Sequence, residues 1–176
     1  FISAIVCGDM PQIPTLLAAT LIPVTKPDGG VRPIAVGEVW YRLACLCAMA
    51  ACPGVGPSLA PLQLAVGVPG GAQIPGHALR AGIAADHGCV TVQLDWRNAF
   101  NTLSQQKMLD AVAERAPALL PLANWAYQAH SPLHLRGRPD AAITSQRGVR
   151  QGDPLGTLLF ALALQGPLSD LQGAFQ

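Results

Sequence analysis

Asp95 is the first residue whose position suggests chemistry, because it follows a short apolar run in residues 89–95, CVTVQLD. This run is β-branched and short, which predicts a buried strand that ends on a carboxylate. A charge in such a place is costly unless it is paired or binds a cation, so Asp95 is a candidate functional residue. An aspartate that only caps the next turn is an equal alternative for Asp95 taken alone.

A second segment, residues 145–156 with the sequence SQRGVRQGDPLG, is rich in glycine and precedes an apolar helical pattern. Gly152 permits close backbone approach to a ligand, and the first N–H groups of a helix attract anions. Asp153 as the N-cap and Pro154 as the first helical residue are expected to open that helix. For this segment alone, an ordinary helix start is the stronger alternative.

Basic side chains supply further candidates. Lys26 and Arg32 lie on the two sides of a predicted hairpin turn and can converge on one phosphate group, although such a pair is most often simply solvated. Four arginines fall within fifteen residues that contain one acid, Asp140; they are Arg136, Arg138, Arg147 and Arg150. This patch is either a phosphate-facing strip or a solvated face, and the formal charge of +1 by itself predicts no nucleic-acid partner.

Composition limits the class of protein. The 176 residues are 51% hydrophobic and 12% charged, too apolar for a disordered tail and low in charge for a whole soluble protein. The five cysteines (Cys7, Cys45, Cys47, Cys52 and Cys89) are odd in number and lack metal-ligand spacing, so we expect small core residues in a reducing compartment. The apolar N-terminus is interrupted too early for a membrane span and lacks the basic start of a signal peptide, so we expect an intracellular protein, nuclear or cytoplasmic.

The first half of the chain is predicted to begin with a hairpin that positions the basic pair. LIPVTK and VRPIAV, within residues 21–36, flank the turn Pro27-Asp28-Gly29-Gly30. A buried helix is predicted over 38–52, with Val39, Leu43, Leu46, Cys47 and Ala50 on its apolar face. An extended connection rich in Gly and Pro follows over 53–76, and a helix resumes near Ala72 or His77 and ends at Asp86.

The second half alternates helices with a second hairpin. Ser104 is expected to cap a helix through Arg115 that buries Leu109, Val112 and Ala113, and Pro117 to open a helix to about Ala129. That helix is expected to bury four residues: Leu119, Leu122, Trp125 and Ala126. PLHLRG and AAITSQ form the hairpin, around Arg138-Pro139-Asp140, and LGTLLFALALQ forms the last helix. The alternation predicts an α+β or α/β layered fold.

Taken together, in this order and spacing, these segments resemble the reverse transcriptase family, specifically the polymerases of non-LTR, LINE-like retroelements. LIPVTKPDGGVRPIAV resembles the fingers hairpin, QLDWRNAFNTL the first palm motif, and SQRGVRQGDPLGTLLFALAL the second. LQLAVGVPGGAQIPGHALR is similar to the glycine-rich stretch between fingers and palm. The resemblance covers residues 21–168 and implies an α+β fold, the fingers and partial palm of a right-hand polymerase, with residues 1–88 fingers-like and 89–176 palm-like.

The resemblance also implies roles for particular residues. Asp95 is the implied catalytic magnesium ligand, with the carbonyl of Trp96 as a second ligand, and two Mg²⁺ ions are expected in the complete enzyme. Phe100 is the implied steric gate that rejects a ribose 2′-hydroxyl. Lys26 and Arg32 are expected to neutralise the triphosphate, Gln151 and Gly152 to line the nascent base pair, and Arg147 and Arg150 to bind nucleic acid. The implied partners are an RNA template, a DNA primer, deoxynucleoside triphosphates and the remainder of a polyprotein, including a thumb.

The sequence departs from the family in lacking the third palm motif, since no Asp-Asp pair occurs in it. We therefore expect the chain alone to be inactive in DNA synthesis. The sequence begins at Phe1 without an initiator methionine and stops at Gln176 inside a helical pattern, so we expect both ends to be cut ends. Two alternatives stay open. One is an RNA-dependent RNA polymerase palm, against which Phe100 argues, and the other is a non-catalytic remnant of a decayed retroelement.

Overall fold

The computed structural model describes residues 1–88 and 90–174. Its helices are α1 (Ile2–Val6), α2 (Pro14–Leu17), α3 (Val39–Ala51), α4 (Ile74–Ala85), α5 (Ala99–Thr102), α6 (Gln105–Arg115), α7 (Leu120–Tyr127) and α8 (Gly156–Gly173), with 3-10 turns at Pro57–Leu59 and Pro117–Leu119. Its strands are β1 (Ala19–Thr25), β2 (Val31–Gly37), β3 (Ser131–Leu135) and β4 (Arg138–Ser145). The architecture is α+β.

The four strands form one mixed sheet in the order β2-β1-β3-β4. The outer pairs, β1 with β2 and β3 with β4, are antiparallel hairpins. The two hairpins meet through a parallel pairing of three residues in β1 with three in β3, beginning with Ala19 opposite Leu133. The sheet thus joins chain segments that are far apart in sequence.

Both predicted hairpins are confirmed, with one shift of turn. In the first, Gly29 adopts φ +81° and the Lys26 amide donates to the Gly30 carbonyl at 2.8 Å. In the second, the turn lies at residues 136–137, where Gly137 adopts φ +82°, and not around residues 138–140. A glycine accepts positive φ without steric cost, so Gly137 determines the turn position and Arg138 already belongs to β4.

A helical core draws residues from both halves of the chain and is separate from the small buried cluster of the sheet. It contains the predicted core residues Leu109, Val112, Leu119, Leu122, Trp125 and Ala126, together with Leu155, Leu158, Leu159 and Leu162 near the start of α8. Ser104 caps α6 as expected, because its hydroxyl accepts from the Lys107 amide at 3.3 Å. Ala113, expected in the core, is exposed, and Met108 is buried instead.

Helix α3 is present as predicted, but it buries the opposite face. Its buried residues are Tyr41, Ala44, Cys45 and Ala48, whereas all five residues of the predicted face are exposed. Both faces of this helix are apolar, so periodicity could not choose between them. The small side chains Ala44 and Ala48 are on the buried face, where α3 contacts α1, and the bulkier Trp40 and Leu46 face outwards, 51% and 54% exposed.

The predicted buried strand at 89–95 is wrong for the part that the structure describes. Residues 90–95 have no regular secondary structure and are exposed, with Val90 at 87% and Val92 at 74%. Their β-branched pattern shows only that the segment suits a pleated, half-buried surface, and no strand among the described residues pairs with it. The preceding helix, α4, matches the predicted helix ending at Asp86 but buries none of its residues.

The cysteines divide between core and surface. Cys45 is buried, Cys52 is half-buried, and Cys7 and Cys47 are exposed, which corrects the expectation that all are core residues. Cys89 lies outside the described residues. No helix in residues 1–88 or 90–174 is both long and apolar enough to cross a membrane.

Candidate functional site

One open cavity of about 830 Å³ collects most of the residues that the sequence singled out. Its walls come from the first hairpin, the segment 94–101, the loop before α8 and the side of α8 itself. The candidate residues on its lining are Lys26, Arg32, Asp95, Trp96, Phe100 and Gln151. We refer to this cavity as the cleft.

The cleft carries cations on one wall and a carboxylate on another. Lys26 follows β1 and Arg32 lies in β2, so the hairpin presents both from one side, and Arg97 adds a third cation beside Asp95. Within residues 1–88 and 90–174, none of these four side chains forms an ion pair with another residue. Their charges are therefore free to act on a charged ligand in the cleft.

Asp95 reaches the cleft from an exposed, irregular segment and not from the end of a strand. Just beyond it, Asn98 adopts the left-handed conformation at φ +54°, which turns the chain into α5. In the described residues no three His, Cys, Asp or Glu side chains are grouped so that they could hold a metal ion. The protein donors near Asp95 thus amount to one carboxylate and neighbouring backbone carbonyls, enough for a magnesium ion only when ligand oxygens and water complete its shell.

Phe100 forms part of the cleft wall and is held by a second ring. Its ring stacks on that of Phe160 in α8, with centroids 4.5 Å apart and planes 12° apart. Phe100 is half-buried and packs against the main core. Because packing fixes the ring on one side, its exposed edge forms a rigid part of the cleft surface.

The loop 146–153 connects the segment that carries Asp95 to the first hairpin through backbone hydrogen bonds. Gly148 N–H donates to the Leu103 carbonyl at 2.7 Å, and Val149 N–H donates to the Phe100 carbonyl at 2.8 Å. On the other side, Ala35 N–H in β2 donates to the Gln151 carbonyl at 2.7 Å. The loop therefore fixes the distance between the hairpin and the segment that carries Asp95.

Two glycines make this docking possible. Gly148 adopts φ +70°, and a Cβ atom there would overlap the backbone of Phe100 and Asn101. Gly152 adopts φ +113°, and a Cβ atom there would lie 2.7 Å from the Ala35 carbonyl oxygen. Gly152 is exposed and flanks Gln151, but it does not line the cleft itself.

Helix α8 begins later than predicted. Asp153 and Pro154 precede it in a turn, and the helix starts at Gly156. Asp153 does cap the turn, since its Oδ1 accepts from the Leu155 amide at 2.9 Å. The first turn of α8 therefore does not line the cleft, and the loop that precedes the helix forms this wall.

Arg150 is not part of a solvent-facing strip, which corrects the expectation for this residue. Its side chain is 3% exposed, and its Nη1 donates to the Leu17 carbonyl at 2.8 Å. The guanidinium lies over the rings of Tyr41 and Tyr127, at 5.0 and 4.9 Å from their centroids. Arg150 thus points into the core, away from any ligand in the cleft.

Asp153 completes this buried group, which we call the Arg150 cluster: Tyr41, Tyr127, Arg150 and Asp153. Asp153 Oδ2 accepts from the Tyr41 hydroxyl at 2.6 Å and from the Tyr127 hydroxyl at 2.5 Å. The same oxygen lies 3.4 Å from Arg150 Nη2. No buried side-chain nitrogen or oxygen in the described part of the chain lacks a partner, so the charges in the cluster are fully satisfied.

The cluster shifts the pKa values of its members. Burial, and then the negative charge of Asp153, raise the pKa of both tyrosines well above the ordinary value, and the same two causes raise the pKa of Cys45 to about 12. Burial alone lowers the pKa of Arg150, but the two tyrosines and Asp153 outweigh it and raise the pKa. The hydroxyls therefore remain donors and Arg150 remains charged at neutral pH.

We expect these raised pKa values to make the fold sensitive to alkali. Above pH 10 an unfolded tyrosine releases its proton while Tyr41 and Tyr127 retain theirs. The folded state then binds more protons, so the free energy of unfolding falls by about 1.4 kcal/mol per pH unit for each tyrosine. Urea unfolding at pH 8, 10 and 11 measures this slope. The double variant Tyr41→Phe/Tyr127→Phe should show a shallower slope, and an equal slope would refute the assignment.

The remaining arginines lie elsewhere on the surface. Arg147 is exposed and lines a smaller cavity of about 370 Å³, which shares Pro33, Asn101 and Gln151 with the cleft. Arg138 pairs with Asp140 at 3.5 Å, and Arg136 is exposed at the hairpin turn. Arg150 also lines this cavity, but its side chain is buried, so Arg147 is the exposed arginine of the four on a cavity that adjoins the cleft.

The sequence reasoning missed four residues of this region: Tyr41 and Tyr127 of the cluster, and Asn101 and Phe160 of the cleft. The sequence shows that the chain has two tyrosines, but their burial against the Arg150–Asp153 pair is visible only in the structure. Tyrosine is usually only partly buried, and a buried hydroxyl requires a partner. Nothing in the local sequence pairs Phe160 with Phe100.

A comparison with known proteins gives one relevant relative. Over 171 residues the chain is 31% identical to the retrotransposable element SLACS 132 kDa protein of Trypanosoma brucei gambiense. The chain is related to a retroelement protein. The match covers 91% of this chain but 14% of that protein, so the chain corresponds to a small part of its length. No protein-family model matches the chain.

Proposed function

We propose that this chain is the nucleotide-binding part of an RNA-directed DNA polymerase, the enzyme that adds deoxynucleotides to a primer 3′-hydroxyl. The observation that carries the proposal is the cleft, which brings together six residues from three distant segments. The resemblance to reverse transcriptases implies that these same residues serve one deoxynucleoside triphosphate and its metal ion. Relation to a retroelement protein supports the same lineage.

The charges of the cleft suit a triphosphate with a bound metal ion. Mg²⁺ in such sites is held by one or two carboxylates together with substrate phosphates and water, and Asp95 supplies one carboxylate. Lys26 and Arg32 face it from the hairpin and would neutralise the outer phosphates. The ion would offset the charge that develops on the reacting phosphate.

The uncharged part of the cleft suits the sugar and the base. The Phe100 ring, held by its stack on Phe160, would lie under the sugar and collide with a 2′-hydroxyl. Gln151 lines the cleft from the loop before α8 and would contact the nascent base pair, and Gly152 beside it lets this loop approach the Ala35 backbone closely. Arg147, which is exposed and lines the adjoining cavity, would contact a template phosphate.

A second candidate function is binding without catalysis, as in a decayed element. Asp95 is the one carboxylate on the lining that the structure describes for the cleft, and this favours the second candidate, since two-metal transfer needs more acidic ligands. Both candidates predict nucleotide binding. They differ in whether the longer protein that contains this segment extends a primer.

Titration of the 176-residue chain with dGTP and Mg²⁺ tests the binding. Trp96 lines the cleft, so its fluorescence reports occupancy. Hydrogen bonds to charged groups contribute about 1.5–3 kcal/mol, so Arg32→Ala or Lys26→Ala should weaken binding about 10–100-fold. Asp95→Asn should abolish the part of the affinity that depends on Mg²⁺.

The matched control is Arg138→Ala, because Arg138 is an exposed arginine outside the cleft lining. It should bind dGTP as the wild type does. Equal losses in Arg32→Ala and Arg138→Ala would mean that binding is non-specific charge attraction. In the same assay GTP should bind more weakly than dGTP. Phe100→Val should reduce the ratio of the dGTP affinity to the GTP affinity, by up to about 100-fold.

A further inference from the structure

The Arg150 cluster has no role in the proposed binding chemistry, yet it lies directly behind the wall of the cleft. Arg150 and Asp153 are buried, whereas Gln151 between them lines the cleft and Gly152 is exposed. One short stretch of loop therefore has two sides, and each side faces a different environment. The contacts that hold Arg150 and Asp153 in the core therefore determine the position of Gln151 in the cleft wall.

The cluster connects the loop to three other parts of the fold. Tyr41 belongs to α3 and Tyr127 ends α7, and Asp153 accepts from both hydroxyls. Arg150 reaches the Leu17 carbonyl, just before β1. The backbone N–H of Arg150 also donates to the Tyr127 hydroxyl at 3.3 Å. The loop position is thus set by side chains whose own elements are packed in the core.

Stability alone does not explain such a cluster. A buried ion pair loses about as much by desolvation as it gains by attraction, and apolar residues of similar volume often stabilise a protein as well or better. A fully satisfied polar network has another property, since it accepts only one arrangement of its members. A single arrangement is useful where a loop must keep one conformation to bind its ligand.

We propose that the Arg150 cluster consists of positioning residues. Tyr41, Tyr127, Arg150 and Asp153 hold Gln151 and Gly152 in the position that a bound nucleoside requires. The inference rests on the proposed function for its ligand, but not for its geometry. The cluster bears directly on the base and sugar side of the cleft. It reaches the triphosphate side, formed by Lys26 and Arg32, only indirectly, through the bond from Ala35 N–H to the Gln151 carbonyl. This division makes the proposal testable with two ligands.

Tyr127→Phe is the variant to test, because it removes one hydroxyl and keeps the ring beneath Arg150. Inorganic tripolyphosphate with Mg²⁺ probes the triphosphate side alone, and dGTP with Mg²⁺ probes both sides. Misplacement of a contacting group by about 1 Å can cost up to a hundredfold, so dGTP affinity should fall about tenfold. Tripolyphosphate affinity should stay within about twofold of the wild type, because Lys26 and Arg32 do not contact the cluster and are held by the pairing of β1 with β2.

Val112→Ala is the control for general destabilisation, since Val112 is fully buried in α6 and has no place in the cluster. It should leave the ratio of the two affinities unchanged. Tyr41→Phe should repeat the effect of Tyr127→Phe, because both hydroxyls bind the same oxygen. Equal loss of both ligands in the tyrosine variants would overturn the positioning role.

Amide hydrogen exchange tests the geometry without any nucleotide. Ala35 N–H donates to the Gln151 carbonyl, so its exchange should be at least tenfold faster in Tyr127→Phe, relative to the Met108 amide in α6. Unchanged exchange at Ala35 would overturn the proposal. If the wild type binds neither ligand, the proposed function fails, and the exchange result still decides whether the cluster positions the loop.

Discussion

Gly148→Ala should lower the free energy of unfolding by about 3 kcal/mol or more. It should also separate loop 146–153 from the backbone of Phe100 and Leu103, to which the loop is hydrogen-bonded. Two costs combine at this position. A non-glycine residue at φ +70° is strained by about 1–3 kcal/mol, and the added Cβ would overlap the backbone of Phe100 and Asn101. Backbone cannot move aside as the end of a flexible side chain can. Urea unfolding at neutral pH measures the loss.

Gly137→Ala is the matched control, because Gly137 also has positive φ but no atom lies within 4 Å of the added Cβ. It should cost only the strain, about 1–2 kcal/mol. Alanine reduces the entropy of the unfolded chain equally in both variants, so the difference between them measures the close contact. Equal losses would show that the loop does not dock on α5 as described.

Asp153→Asn should destabilise the protein by about 3–5 kcal/mol, because it leaves Arg150 buried without its counter-charge. The asparagine amide also presents a donor where Asp153 now offers acceptors to two hydroxyls and the Leu155 amide. The same substitution at Asp140, whose pair with Arg138 is exposed on both sides, should cost less than about 1 kcal/mol. A small effect at Asp153 would mean that the cluster is open to water.

Local sequence signals predicted the hairpins and helices well because each depends on neighbouring residues. Asp-Gly-Gly determines the first turn, Ser104 starts α6, and Pro117 opens the turn before α7. Failures occurred where distant packing decides the outcome. Helix α3 offers two apolar faces, and only its contacts with other elements select the face that contains Tyr41.

The sequence named several residues that line the cleft, although Gly152, Arg147 and Arg150 do not line it, and the role of the cleft stays a prediction. Order and spacing of motifs identified Lys26, Arg32, Asp95, Phe100 and Gln151, and the cleft contains all five. Their supports could not be read from the sequence: Arg150 was expected at the surface because arginine is rarely buried without a partner. Its partners, Tyr41 and Tyr127, come from remote helices that no local pattern connects to it.

The parallel pairing of β1 with β3 has a consequence for the order of folding. Each hairpin and each helix can form from nearby residues, whereas the β1–β3 pairing and the bond from Arg150 to Leu17, 133 residues apart, require nearly the whole chain to have been synthesised. Closing so long a loop costs entropy before any contact offsets it. The hairpin that carries Arg32 and the loop that carries Gln151 therefore come together late in folding, so the cleft is among the last features to form.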